Sequence, residues 1–179
     1  VNQNEAGSRR VIYRGRKIDL ALESVPLTDG TSAELEVVLH RGAVALVPLT
    51  GDGRVVLVKN HRHSVGRTLL EVPAGTLDPG ETPESAAPRE LAEETGFTAD
   101  RITPIASWWV SPGVFTERMT LFVCEGLTPG APSPQPDEKL ETVILPLDEA
   151  LAMAFDGRLD DAKTRLSLML VDRWQRDHP

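Results

Sequence analysis

The stretch Gly75–Phe97, GTLDPGETPESAAPRELAEETGF, decides how the rest of the chain is read. It describes a glycine-bearing loop followed by a helix whose limits are written in its residues. Thr82 suits the N-cap, Pro83 the first helical position where a missing N–H costs nothing, and Gly96 the C-terminal stop. On that helix Glu90, Glu93 and Glu94 fall at i, i+3 and i+4 and therefore share a face. Three carboxylates so placed repel one another unless a hard divalent cation such as Mg²⁺ sits among their oxygens. The same ion would bind phosphate.

Pro88 stands in tension with this helix. It removes the N–H that would bond to the Glu84 carbonyl and crowds that turn, at a cost of about 3 kcal/mol or more in a regular helix. Either the helix bends or starts late at Pro88, leaving Glu81 to Ala87 as an irregular lead-in, or the carboxylate site is displaced. Tolerated distortion is expected, because proline near a helix start costs less than proline deeper inside. In the loop, Gly80 permits a tight turn after Pro79, and Gly75 lets the backbone approach a metal and a phosphate. Leu77 and Leu91 read as core contacts.

Working outward, Val11 to Leu39 is strand-like, with a turn at Thr28-Asp29-Gly30, and predicts a small antiparallel sheet. Ala43 to Leu49 and Val55 to Val58 are apolar, β-branched runs around Gly51-Asp52-Gly53, a hairpin signal, and are expected to enter the main sheet. Leu69 to Pro73, Ile102 to Trp109, Met119 to Cys124 and Glu141 to Leu147 read as further strands of a mixed sheet. Two more helices are predicted. One runs from about Leu147 to Phe155, and the other from about Asp161 to Asp177 with an apolar stripe through Leu166, Leu168, Leu170, Val171 and Trp174. The proline-rich Thr128 to Pro136 reads as a surface loop between elements of one domain.

The 179 residues suffice for one domain with a small appendage, and 27 acidic against 19 basic residues give a formal charge of −8. That balance argues against a general nucleic-acid or anionic-membrane surface. The single Cys124 lies in an apolar run and reads as a buried, inert thiol, with no disulfide framework possible within the chain. The first ten residues lack the apolar core of a signal peptide, and no run of about 18 apolar residues occurs, so a soluble cytoplasmic protein is expected.

Gly75, Glu81, Arg89, Glu90, Leu91, Glu93, Glu94, Gly96 and Phe97 match the pattern Gly-x5-Glu-x7-Arg-Glu-aliphatic-x-Glu-Glu-x-Gly-aliphatic/aromatic. The chain thereby resembles the Nudix hydrolases. The resemblance implies an α/β fold, an α/β/α sandwich around a mixed sheet, and hydrolysis of a nucleoside diphosphate linked to another group. Within it, Glu90, Glu93, Glu94 and the carbonyl of Ala74 are the expected ligands of Mg²⁺, with Mn²⁺ as an alternative, and Glu81 helps through water. Arg89, four residues before Glu93, is expected to hold a carboxylate in orientation.

Ser111-Pro112-Gly113-Val114-Phe115-Thr116-Glu117, with Pro112 sixteen residues after Gly96, resembles the marker of the ADP-ribose pyrophosphatase branch. There an acidic residue five places after the proline activates or places the attacking water, and Glu117 matches it. Val58-Lys59-Asn60-His61-Arg62-His63 resembles a segment whose arginine contacts the diphosphate or terminal ribose. Arg62 is that residue, its planar fork suiting phosphate oxygens, and a surface role is the other reading. His61 and His63 read as polar lining, since Mg²⁺ prefers oxygen.

The resemblance also implies a division into residues 1–40, a β subdomain exchanged across a homodimer, and residues 41–179, the hydrolase domain. Ile18 stands where a phenylalanine often stacks on adenine, so stacking would fall to Tyr13, Trp108 or Trp109, although the two tryptophans read first as packing residues. The expected reaction is Mg²⁺-dependent cleavage of ADP-ribose to AMP and ribose 5-phosphate, with Glu117 as the base. The alternatives are another nucleoside diphosphate sugar, of the GDP-mannose or UDP-glucose type, and a non-catalytic Nudix module that senses a nucleotide. The box carboxylates are all present, which favours the enzyme.

Overall fold

Alternating strands and tight turns open the chain, and a computed structural model describes them within residues 8–133 and 140–178. Two units emerge: residues up to Gly42 together with Trp108–Met119, and Ala43–Ser107 together with Thr120 onward. The expected boundary between residues 40 and 41 ran in chain order. The first unit additionally takes in Trp108–Met119.

In the first unit β1 (Arg9–Arg14), β2 (Ile18–Pro26) and β3 (Ser32–His40) form the predicted antiparallel sheet. The β1–β2 turn is close: a Cβ on Gly15 would lie 2.6 Å from the Ile18 carbonyl oxygen. Between β2 and β3, Asp29 accepts bonds from the Thr31 N–H and hydroxyl. Such Asx geometry is the reason aspartate favours turns.

The second unit carries two sheets. One has the order β10-β5-β6, from β5 (Arg54–Arg62), β6 (Arg67–Glu71) and β10 (Leu140–Pro146). The other has the order β7-β4-β9-β8, from β4 (Ala43–Pro48), β7 (Ala74–Thr76), β8 (Phe97–Trp109) and β9 (Arg118–Pro129). The ends of β8 and β9 continue into the first unit. The Gly51-Asp52-Gly53 turn forms, with Gly53 at φ 80°, closed by bonds between Thr50 and Arg54 and by a bridge between Leu49 and Val55, yet the ladder does not continue from there. The runs it joins therefore enter different sheets. Every residue of β4 is buried, and helices contact it, which explains its unbroken apolar sequence.

Three helices complete the unit: α1 (Pro83–Thr95), α2 (Leu147–Asp156) and α3 (Ala162–Asp177). α1 starts where the sequence says, with Thr82 capping Ser85 in a reciprocal capping box and Gly96 in the left-handed conformation. It runs through Pro88 as one helix, so the late start is overturned. Gly96 is doubly constrained, because a Cβ there would also lie 2.7 Å from the Pro132 nitrogen. Ala86, Ala87 and Leu91 press α1 onto Val44, Leu46, Leu77, Phe122 and Cys124. Burial, then Glu125, raises the Cys124 thiol to about 12, which leaves it inert. The part of the predicted proline-rich loop at residues 134–136 lies outside the described residues.

Candidate metal and catalytic site

Helix α1 carries Glu90 and Glu94 on the same buried face as Ala86, Ala87 and Leu91, turned toward β7. Glu90 and Glu94 are buried, and the side chain of Glu93 is 31% exposed. Gly75 explains how Glu90 fits. A Cβ at that position would sit 1.9 Å from the Glu90 carboxyl carbon, so the strand can pass only as glycine. The sequence reading assigned Gly75 to backbone approach toward a ligand. The structure adds that it makes room for a carboxylate.

Arg89 organises the group. Its Nε and Nη2 donate to Glu81 Oε1 and Oε2 at 2.9 and 2.7 Å, a bidentate fork. Its Nη1 donates to Glu90 Oε1 at 2.8 Å and to Glu93 Oε2 at 3.3 Å. Arg89 thus orients three carboxylates where one was expected. The hydrogen bond from Arg89 holds Glu81 below the usual carboxylate range, and the Glu81 bond raises Arg89 in turn. Glu81 also accepts from the Asp78 N–H, closing the loop beneath it.

Glu94 turns to the strand, where its Oε2 accepts from the Ala74 N–H at 2.9 Å. Ala74, Gly75, Glu81, Glu90, Glu93 and Glu94 are therefore brought together by one loop and one helix. Among the described residues, no three acidic, histidine or cysteine side chains already converge on a common metal position. The donor chemistry nevertheless fits a hard divalent ion: four carboxylates stand on one side and one guanidinium on the other.

Arg62 has a different neighbourhood. Its Nε and Nη2 donate to Glu71 Oε1 and Oε2 at 2.8 and 2.6 Å, and its side chain is 38% exposed. Glu71, 1% exposed, also accepts from Lys163 Nζ at 2.7 Å, and Lys163 reaches Asp161 at 2.9 Å. Burial works to raise the Glu71 carboxyl, but the bonds from Arg62 and Lys163 outweigh it and hold the group low. Asp161 caps α3 through the Thr164 N–H, and the Thr164 hydroxyl accepts from the Val72 N–H. Sequence reading missed this network. Its one signal was a charged Glu71 inside the apolar run Leu69-Leu70-Glu71-Val72.

Glu117 lies in the first unit, mostly buried, with its Oε1 3.9 Å from His40 Nδ1. His61 and His63 form an edge-on ring pair at 4.9 Å, and His61 Nδ1 lies 3.4 Å from the Thr68 hydroxyl. Trp109 is 51% exposed under the Arg118 guanidinium, 5.3 Å from the ring centroid, so the expectation that it packs in a core is corrected. Ile18 lines an open cleft of about 270 Å³ with Gly15, Lys17, Asp19, His40 and Arg41.

A model of the NUDIX domain matches residues 39–167. The chain is 37% identical over 166 residues to an ADP-ribose pyrophosphatase of Bacillus subtilis (strain 168), covering 92% of this chain and 90% of that protein. It is 35% identical over 162 residues to a methanol dehydrogenase activator of Bacillus methanolicus, covering 89% and 88%. A crystal structure of an ADP compounds hydrolase aligns with a TM-score of 0.82 at 26% identity, covering 96% of this chain and 93% of that one.

Proposed function

The chain belongs to the NUDIX family and has its α/β fold, and from that premise we propose that it hydrolyses the diphosphate bond of ADP-ribose to AMP and ribose 5-phosphate. The observation that carries this reading is the gathering of Glu81, Glu90 and Glu93 around Arg89, with Glu90 packed against Gly75 and Glu94 on the Ala74 N–H. An ADP-ribose pyrophosphatase of similar length among the relatives supports the choice of substrate.

Hydrolases of this family generally depend on a divalent metal. Mg²⁺, or Mn²⁺ in its place, would be held by Glu90, Glu93, Glu94 and the Ala74 carbonyl. When bound, the ion neutralises the diphosphate oxygens. Arg89 keeps Glu81, Glu90 and Glu93 in orientation, a task suited to a fork of fixed geometry. Arg62 contacts the substrate's diphosphate or ribose through the part of its guanidinium turned from Glu71. Glu117 takes the proton from the attacking water while a bond forms to phosphorus and the bridging P–O bond breaks. The protein acts in the cytoplasm as a homodimer; no helix among the described residues is long and apolar enough to cross a membrane.

The test is incubation with Mg²⁺ and, separately, ADP-ribose, GDP-mannose, UDP-glucose and dGTP, with the products resolved. AMP with ribose 5-phosphate as the fastest-formed products supports the assignment. Preference for GDP-mannose or UDP-glucose moves the substrate within the same reaction class, and preference for dGTP with release of pyrophosphate overturns it.

A further inference from the structure

The segment that carries Glu117 is sewn to the end of β3 by contacts lying wholly within the first unit. Val38 N–H donates to the Val114 carbonyl at 2.8 Å, and Thr116 N–H donates back to the Val38 carbonyl at 2.9 Å. Val38 and Phe115 form an isolated parallel bridge. Two residues on, the His40 N–H donates to the Thr116 hydroxyl at 2.9 Å, and the His40 ring meets Phe115 edge-on at 5.3 Å. His40 thus reaches Thr116 through its backbone N–H and Phe115 through its ring, whose Nδ1 stands 3.9 Å from the Glu117 carboxylate.

The ring's orientation is itself fixed. Gly42 N–H donates to His40 Nδ1 at 3.1 Å, so that nitrogen acts as an acceptor and carries no proton. Burial lowers the basicity of the ring, and Arg41 and Lys17 lower it further. The ring therefore meets the Glu117 segment with a fixed face, edge-on to Phe115 and 3.9 Å from the carboxylate.

We propose that His40 is a positioning residue for Glu117, its ring against Phe115 holding the segment from Val114 to Glu117 on β3 so that the carboxylate keeps one place. This rests on the assignment of Glu117 as the base. A set of variants assayed on ADP-ribose separates the two ideas: His40→Leu, His40→Asn, Thr116→Val, Glu117→Gln, and the double variant of His40→Leu with Glu117→Gln. Glu117→Gln should lower kcat by about 10²-fold or more, the usual contribution of a general base. His40→Leu should lower kcat by about 10-fold with KM little changed, in line with the loss of an orienting partner. Thr116→Val should act in the same direction. His40→Asn, whose side-chain oxygen can accept from the Gly42 N–H but which lacks the ring that meets Phe115, should fold even if the leucine variant does not and should show a similar loss; full recovery in it would overturn the ring's role. In the double variant His40→Leu should add no further loss. Independent, multiplicative losses, or an effect confined to KM, would overturn the positioning role while leaving the base assignment intact. An unchanged kcat in Glu117→Gln would remove the base assignment and the inference with it.

Discussion

Two arginine–carboxylate networks lie in the second unit, and they differ in charge balance. Around Arg62, two carboxylates, Glu71 and Asp161, meet two cations, Arg62 and Lys163. Around Arg89, the three carboxylates of Glu81, Glu90 and Glu93 share one guanidinium, while Glu94, on the same helix as Glu90 and Glu93, also feels the charge of Arg62. A balanced group satisfies itself and can serve as an internal tie. Several carboxylates gathered on one guanidinium leave oxygens for a hard cation, which is why the α1 cluster, and not the paired group around Glu71, reads as a cation site.

Substitutions can break this contrast. Glu94→Gln should reduce ADP-ribose turnover by roughly 10³-fold, more than the 10- to 100-fold typical of losing an orienting partner, while thermal unfolding stays near that of the parent. Glu71→Gln should act chiefly on stability, with a smaller loss of turnover carried by KM because Arg62 loses the acceptor that orients it. It removes the acceptor common to Arg62 and Lys163 and should cost about 3 kcal/mol, the low end for a broken buried pair because Arg62 is partly solvated, as read from denaturant midpoints. A Glu71→Gln variant of unchanged stability would show that the balanced network is no tie.

Arg89→Lys keeps the charge but loses the fork. Turnover, or the metal concentration needed for half-maximal turnover, should worsen by about 10- to 100-fold. The smallest effect concerns pH. Because the folded Glu71 carboxyl lies below its ordinary 4.5, its contribution is complete above that value and is lost as pH falls through the folded one. Unfolding midpoints measured between pH 6 and pH 3 should therefore fall more steeply for the parent than for Glu71→Gln.

The helix and its carboxylates were legible because capping and i, i+3, i+4 spacing act locally. Thr82, Pro83 and Gly96 state the ends of α1 regardless of what it packs against. Pro88 raised a late start only as an alternative, and Thr82 and Pro83 define the start that holds, which the missing Pro88 N–H does not undo. What the sequence hid was long-range. Nothing local joins Glu71 to Lys163, 92 positions away, or His40 to Thr116, 76 positions away. The hairpin at Gly51-Asp52-Gly53 was read correctly as a turn but not as a passage between sheets, since turn chemistry does not specify which strand the emerging chain will pair with.

The central claim is that the surplus carboxylates on α1 bind a divalent ion for diphosphate hydrolysis. Its most direct test follows ADP-ribose by product chromatography, with the protein stripped of metal by chelator and then titrated with Mg²⁺. The account predicts no AMP without metal, saturable recovery with Mg²⁺, and little recovery in Glu94→Gln. Full turnover in chelator, or equal turnover in Glu94→Gln, would contradict it.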